Sequence, residues 1–504
     1  MKENIKEQVL GWLLLGITAY GICRLFFMTS GNDIWYDEVF SLGLMKQTMP
    51  DIVRLTATDV HPPFYYFYLK WVVSIGNILF PRLSIVNLAK TASVLPYLGI
   101  WIIYATLVRK EWGVLQAGLG SFLSIFMPQL CLYGVEIRMY SLACFLLFAT
   151  MVGACLYYKT EKKGYLSLVL VCSIGIAYTQ YFALLSLGIL YCLGGVAFLV
   201  EKRWKALLQW GITLGITILA FVPWVPTLVH QMTNVTGSYW IPPLTLRSFA
   251  GCLKYMLLPA GGYPKLNVIM AGGLGIAIFL LLLLYGIEQK PKAWFLGEGF
   301  VCLLCLGVLA GLVLVGVGFS IVVSPVFVYR YMIPCLTLFW FGIAFLWRRS
   351  GRALLQVILL LLFFAVGYSD LDSAAWEEGD KKSKMELASE GLSVIGDEDI
   401  LVCNFDHVQA VVGCLLPNES YLYGAQPETL IRTLYREYGM LESEDQLLEV
   451  LKYHDKVWFL GSFQWREDLL EEWKAKGILA EETGSYMIER YWFNLYRLSV
   501  EPEQ

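Results

Sequence analysis

The sequence predicts a polytopic α-helical membrane protein carrying a small C-terminal α/β domain, and three observations predict it. The 504-residue chain is 57% hydrophobic and only 16% charged, against roughly 45–50% apolar and about 25% charged in soluble proteins. Apolar runs of about 20 residues, the length that crosses a bilayer, follow one another from residue 9 to residue 368. Beyond that point the pattern changes to a charged stretch, and then to short apolar strands alternating with helical periodicity.

The N-terminal MKENIKEQ precedes an apolar run, 9–28, too long for a signal-peptide core and without a small-residue cleavage pattern, so it is expected to remain as the first helix. Breaks at Arg82, Arg109-Lys110, 159–163, 202–205, 290–292 and 348–352 are basic, which places them on the cytoplasmic side. The breaks at 31–62, around Glu136, at 178–182, 230–264 and 324–330 are then expected to face outward. Three full crossings at 63–80, 84–108 and 113–133 would put Glu136 inside. A break near Pro96, which removes a helical hydrogen bond and disfavours helix at the residue before it, restores the order. About 11–13 membrane segments result, with the tail outside.

The tail divides into a charged linker, 371–395, and an extracytoplasmic α/β domain, 396–504, following a membrane domain, 1–370, whose first extracytoplasmic loop is 29–62. Strands are expected at 400–405, 457–461 and 486–498, and helices at 429–438, 445–453 and 468–476. This part holds no nucleotide fingerprint, Walker loop or nucleophile elbow, and its Asp406-His407 pair is of a kind usually structural in a surface domain, so it reads as accessory. No basic stripe with interleaved aromatics points to nucleic acid. The 12 cysteines show no metal-ligand spacing, and most sit in apolar runs as small hydrophobes. Number alone leaves Cys403 and Cys414 open between thiols and a disulfide.

The polar residues of the membrane part carry the chemistry. GNDIWYDEVFSLGLMKQTMPDIVRLTATDVHPPFYYF holds Asp33, Asp37 and Glu38 just after the first run and His61-Pro62-Pro63 just before the next. An adjacent Asp-Glu pair on a loop is ordinarily solvated. Here it is joined on the outward side by Glu136-x-Arg138-Met139-Tyr140, Gln180-Tyr181 and Tyr329-Arg330-Tyr331. Taken singly, Glu136 could pair only with Arg138, and Arg330 could anchor a helix end. Ionisable groups near membrane depth cost free energy, and several on one face point to a shared site. A carboxylate takes the proton of an attacking hydroxyl, and guanidiniums hold a phosphate bidentately and stabilise the charge that grows on it as it leaves. The set suits group transfer from a phosphate-linked donor, and a lipid phosphate held by its tail needs no nucleotide loop.

In order and spacing these segments resemble the polyprenol-phosphate-sugar-dependent glycosyltransferases of the GT-C fold. They are closest to the bacterial protein mannosyltransferase and aminoarabinose-transferase-like group, family 39 in the broad sense. The resemblance rests on the Asp37-Glu38 loop, His61 to Tyr66 as x-Pro-Pro-Phe-Tyr-Tyr, Glu136 to Ser141 as E-x-R-M-Y-S, and Arg330-Tyr331-Met332, and covers residues up to about 370.

The resemblance implies Asp37 as general base with Glu38 supporting it, Arg138 and Arg330 facing the lipid phosphate together with His61, and Glu136 near acceptor or metal. Gln180, Tyr181 and Tyr140 would line the acceptor side. His61 and Glu136 are the candidates for a divalent metal, but Val60 stands directly before His61 with Asp59 one further back, which leaves metal dependence open. The implied activity is sugar transfer, with inversion, to an extracytoplasmic lipid, cell-envelope polymer or protein at a bacterial plasma membrane. Two alternatives belong to other classes. A secondary transporter or lipid flippase would show an internal repeat, of which none is evident, and an envelope assembly scaffold would act through its C-terminal domain.

Overall fold

The computed structural model describes residues 3–30, 34–235, 241–260, 264–288, 297–404, 416, 418–424, 439–462, 468–489 and 491–501. Asp33, Cys414, the Asp406-His407 pair and the helix expected at 429–438 lie outside them. Among the described residues, nine helices are long and apolar enough to cross a bilayer, from Ile5–Met28 to Ala353–Leu392, accompanied by two shorter apolar helices, Val114–Phe126 and Lys163–Ala177. This is a multi-pass membrane protein. The chain forms two compact units: Met1–Met28 with Thr56–Trp376, and Thr29–Leu55 with Glu377–Gln504.

In the first unit, Tyr140–Thr160 and Tyr329–Arg349 are buried along nearly their whole length. Helices Ile5–Met28 and Val114–Phe126 meet backbone to backbone, because a Cβ on Gly118 would lie 2.3 Å from the Gly11 carbonyl oxygen. Small residues permit such approach between membrane helices. The N-terminus of Val114–Phe126 is closed by Glu3, whose carboxylate accepts from the amides of Val114 at 2.9 Å and Leu115 at 3.0 Å.

The break expected at Pro96 is absent. Helix Ile85–Ile103 passes through Pro96 and continues as Tyr104–Val108, a π-turn, into Arg109–Trp112. Proline removes the donor that would bond the carbonyl four residues back, which is Ala92, and the Tyr68 hydroxyl donates to that carbonyl at 2.7 Å instead. A side chain from another helix satisfies the group that the sequence reading left orphaned. The interruption falls instead in the next run, where Val114–Phe126 ends before Pro128, Gln129 takes a left-handed φ of 75°, and Leu130–Val135 follows. The outward stretch expected as a loop at 230–264 also holds helix Arg247–Leu257.

The second unit contains helix Tyr36–Lys46, in the stretch expected as a loop, and a six-stranded sheet. Its strands are β1 Ile400–Cys403, β2 Ser420–Tyr423, β3 Gly439–Leu441, β4 Val457–Gly461, β5 Ile478–Ile488 and β6 Tyr491–Val500, in the order β3-β2-β1-β4-β6-β5. The first four pair in parallel, while β6 runs antiparallel to both β4 and β5. Val402, Leu447, Phe459, Leu469 and Trp473 form its core. The strand expected at 486–498 is in fact the end of β5, a turn and most of β6, with Ile488 opposite Tyr491. Glu489 makes the turn at φ 56°, a conformation that favours glycine or asparagine, so the sequence gives no punctuation there. The charged stretch 371–395 is helical to Leu392, as the continuation of Ala353–Leu392.

Candidate functional site

The first unit brings most of the predicted polar residues together. His61 sits in the bend before helix Phe64–Leu79, whose start at Pro63 needs no backbone donor there. The first amide of that helix, Phe64, donates to the Tyr178 carbonyl at 2.8 Å. This ties the His61 bend to the turn that ends in Gln180. Gln180 is the N-cap of helix Tyr181–Val200, its Oε1 accepting from the Ala183 amide at 3.0 Å. Tyr181 donates to Gln231 Oε1 and accepts from Trp224 Nε1, and Gln231 Nε2 donates to the Thr56 carbonyl at 2.8 Å.

Arg138 arrives from the other side. Helix Leu130–Val135 ends at an extended Glu136, the Arg138 amide turns back onto the Glu136 carbonyl at 2.7 Å, and Tyr140–Thr160 begins two residues later. Arg138 is 4% exposed and His61 8%, and Arg138 Nη2 lies 3.2 Å from His61 Nε2. Guanidinium only donates, so His61 Nε2 accepts and a neutral imidazole carries its proton on Nδ1. Burial first, then the charges of Arg138 and Arg330, hold His61 well below its usual pKa of 6.5. The ring is therefore neutral near neutral pH.

Arg330 lies in the short 3₁₀ turn Tyr329–Met332. The next residue, Tyr331, stacks on Phe182 with centroids 4.4 Å apart. The buried Tyr140 side chain feels both guanidiniums, and Tyr133 packs edge-on against it at 5.1 Å. Glu136 is buried and acts electrostatically on Tyr255. His61, Gln180, Tyr181, Phe182, Gln231 and Tyr331 line one groove of ≈ 540 Å³ whose remaining walls are largely apolar. A groove with a few neutral polar groups and greasy walls, one of whose lining residues, His61, is bonded to the Arg138 guanidinium, accommodates an amphiphile with a polar head.

Asp37 and Glu38 belong to the second unit, in the first turn of helix Tyr36–Lys46. Glu38 is buried and its Oε2 accepts from the Trp35 amide at 3.2 Å, the reach-back half of a capping box. Lys381 feels the Glu38 charge and pairs with Glu378 at 2.7 Å. Glu38 thus has a structural task the sequence did not disclose. Asp37, half-buried, sits where the helix dipole favours an anion.

Among the described residues, no three His, Cys, Asp or Glu side chains gather as metal ligands. His61 does not fit one, because its Nε2 is engaged by Arg138 and two guanidiniums act on it. Cys403 is a free buried thiol.

Lys90 and Asp370 are among the buried charged residues that the sequence does not mark as part of a site. Lys90, 1% exposed, lies on Ile85–Ile103, and its sequence signal is a cation inside an apolar run. Asp370 stands in the sequence at the edge of the charged tail, yet it is buried and accepts from the Gln129 amide at 3.2 Å, holding the turn that leads to Glu136 and Arg138.

No family model matches the sequence, and no curated protein matches it. Solved structures do. ArnT from Cupriavidus metallidurans, bound to undecaprenyl phosphate, superposes with a TM-score of 0.64 at 12% identity, over 98% of this chain and 99% of that one. Its apo state gives a TM-score of 0.62 at 12% identity, over 98% and 100%. The Archaeoglobus fulgidus oligosaccharyltransferase with zinc and sulfate gives a TM-score of 0.44 at 10% identity, over 95% and 72%. The ArnT likeness spans both the membrane helices and the small sheet domain, and the chain has the GT-C-type fold that the order of its motifs anticipated.

Proposed function

We propose that this chain is a glycosyltransferase that moves a sugar from a polyprenyl phosphate to a hydroxyl of an extracytoplasmic lipid, cell-envelope polymer or protein, with inversion at the anomeric carbon. One observation carries the reading. His61, which lines an apolar groove, is bonded to Arg138 and lies in the field of Arg330, in a fold shared with a protein solved with undecaprenyl phosphate.

In this reading Arg138 and Arg330 hold the donor phosphate. Asp37 takes the proton of the acceptor hydroxyl as its oxygen attacks the anomeric carbon opposite the phosphate. The bond from that carbon to the phosphate oxygen breaks, its electron pair stays on the oxygen, and polyprenyl phosphate leaves against the guanidiniums. Glu38 supports Asp37 by fixing the first turn of its helix. Glu136, Tyr140 and Tyr181 belong to the surroundings of donor and acceptor. In this reading the site and the C-terminal domain face outward from a bacterial plasma membrane, which the basic breaks between the helices support.

The test is an assay of the purified full chain with a panel of polyprenyl-phosphate sugars, following release of polyprenyl phosphate. Release with at least one sugar, dependent on Asp37 and Arg138, is expected. No release across the panel, with the protein folded and an acceptor extract present, refutes the reading.

A further inference from the structure

Gln180 carries a buried hydrogen-bond donor with no acceptor among the described residues. Its amide has no choice of orientation, since the Ala183 N–H requires an acceptor and only Oε1 accepts. Nε2 must therefore point away from the helix start. The residue is 1% exposed, and Nε2 has no acceptor among the described residues. A buried donor left unmade is costly, and each such group calls for an explanation.

The groove supplies one. Gln180 lines it together with His61, whose Nδ1 carries the proton because Nε2 accepts from Arg138. Two residues that each carry a neutral N–H donor thus line one groove. The side-chain acceptor beside them, Gln231 Oε1, is engaged by the Tyr181 hydroxyl, and among the described residues no carboxylate lines the groove, the nearby Asp59 acting electrostatically on Tyr181. A sugar hydroxyl must donate as well as accept, whereas an unesterified phosphate oxygen only accepts. The positive field of Arg138 and Arg330, which acts on His61, favours the anion further.

We propose that Gln180 is a ligand-binding residue whose Nε2, together with His61 Nδ1, donates to an unesterified oxygen of a lipid phosphate whose chain fills the groove. The proposal rests on the glycosyltransferase reading and narrows it. Gln180 moves from the acceptor side, where the sequence placed it, to the donor phosphate.

The experiment measures binding of undecaprenyl phosphate and of inorganic phosphate to the full chain in detergent, with Gln180→Ser and Gln180→Glu beside the natural protein. Serine is a strong N-cap, and glutamate keeps an oxygen for the Ala183 amide. Both variants are expected to retain the ligand-free unfolding temperature. Gln180→Ser should bind undecaprenyl phosphate about tenfold or more weakly, the scale of one hydrogen bond to a charged group. Gln180→Glu should bind it more weakly still at pH 8, where its carboxylate repels the phosphate. Inorganic phosphate should bind the natural protein far more weakly than the lipid.

Undecaprenyl phosphate binding that is equal in the natural protein and in either correctly folded variant overturns the proposal and leaves the glycosyltransferase reading standing. Equal affinity for inorganic and lipid phosphate also overturns it, because the groove then holds no chain. Absence of lipid-phosphate binding by the natural protein removes the glycosyltransferase reading and this proposal together.

Discussion

Replacing Arg138 tests the site at a deeply buried cation. The guanidinium is 4% exposed and donates from Nη2 to His61 at 3.2 Å, and in the proposed reading it also donates twice to the donor phosphate. A hydrogen bond to a charged group contributes about 1.5–3 kcal/mol. Arg138→Lys keeps the charge but not the planar fork. Losing one of two phosphate bonds on that scale predicts about a 10- to 100-fold loss of donor affinity. Arg138→Ala loses both and should fall by about 10²- to 10⁴-fold. The assay is the Kd for undecaprenyl phosphate, with kcat/KM for whichever polyprenyl-phosphate sugar is turned over and a ligand-free unfolding curve as control. Unchanged Kd in both variants, with normal unfolding, would show that Arg138 only anchors the His61 bend, and the phosphate assignment would fail.

The remaining expectations concern protons and charge. Asp37→Asn keeps size and removes the base, so turnover should fall by about 10²-fold or more with lipid-phosphate affinity intact; near-normal turnover rules Asp37 out. Glu38→Gln should lower the unfolding temperature more than the turnover, since Glu38 closes a helix start at 3.2 Å and acts on Lys381; the reverse ranking would return Glu38 to the chemistry. For His61, the folded pKa lies below the unfolded value of 6.5. The unfolded state therefore binds the extra proton first, and stability is fully present above about 6.5 and declines as pH falls toward the folded pKa. His61→Asn should remove that acid-side decline in a pH series of unfolding curves, and an identical slope in both proteins would contradict the buried neutral ring.

What the sequence disclosed was what depends on composition and local order. Membrane runs are legible because a bilayer demands about 20 apolar residues. The motif order was legible because Asp37, His61, Glu136, Arg138 and Arg330 stand out against an apolar background. What it hid depends on partners distant in the chain. Pro96 looked like a break because the Tyr68 hydroxyl that satisfies Ala92 lies 24 residues from it. The β5–β6 hairpin was hidden because Glu489 turns without glycine. Asp370 looked like a boundary because Gln129, whose amide it accepts, is 241 residues away.

The same limit affects the tail, which the sequence presents as accessory. Residues Thr29–Leu55, which carry Asp37, form one compact unit with Glu377–Gln504, so the candidate base and the sheet domain share a unit. Ending the chain near Asp370 would cut helix Ala353–Leu392 and remove Asp37's own unit. Lys381→Met in the full chain is the cleaner perturbation. It removes the cation that pairs with Glu378 at 2.7 Å, where Glu378 is 2% exposed, and that feels Glu38 beside Asp37. Breaking a buried pair from one side leaves an uncompensated charge, so the start of helix Tyr36–Lys46 should loosen. Because His61, Arg138, Gln180 and Arg330 all belong to the other unit, turnover should fall while the Kd for undecaprenyl phosphate stays at the natural value. A fall in both would mean that the two units do not act separately on donor and base. Unchanged turnover in a folded Lys381→Met protein would restore the tail to an accessory role and detach Asp37 from it.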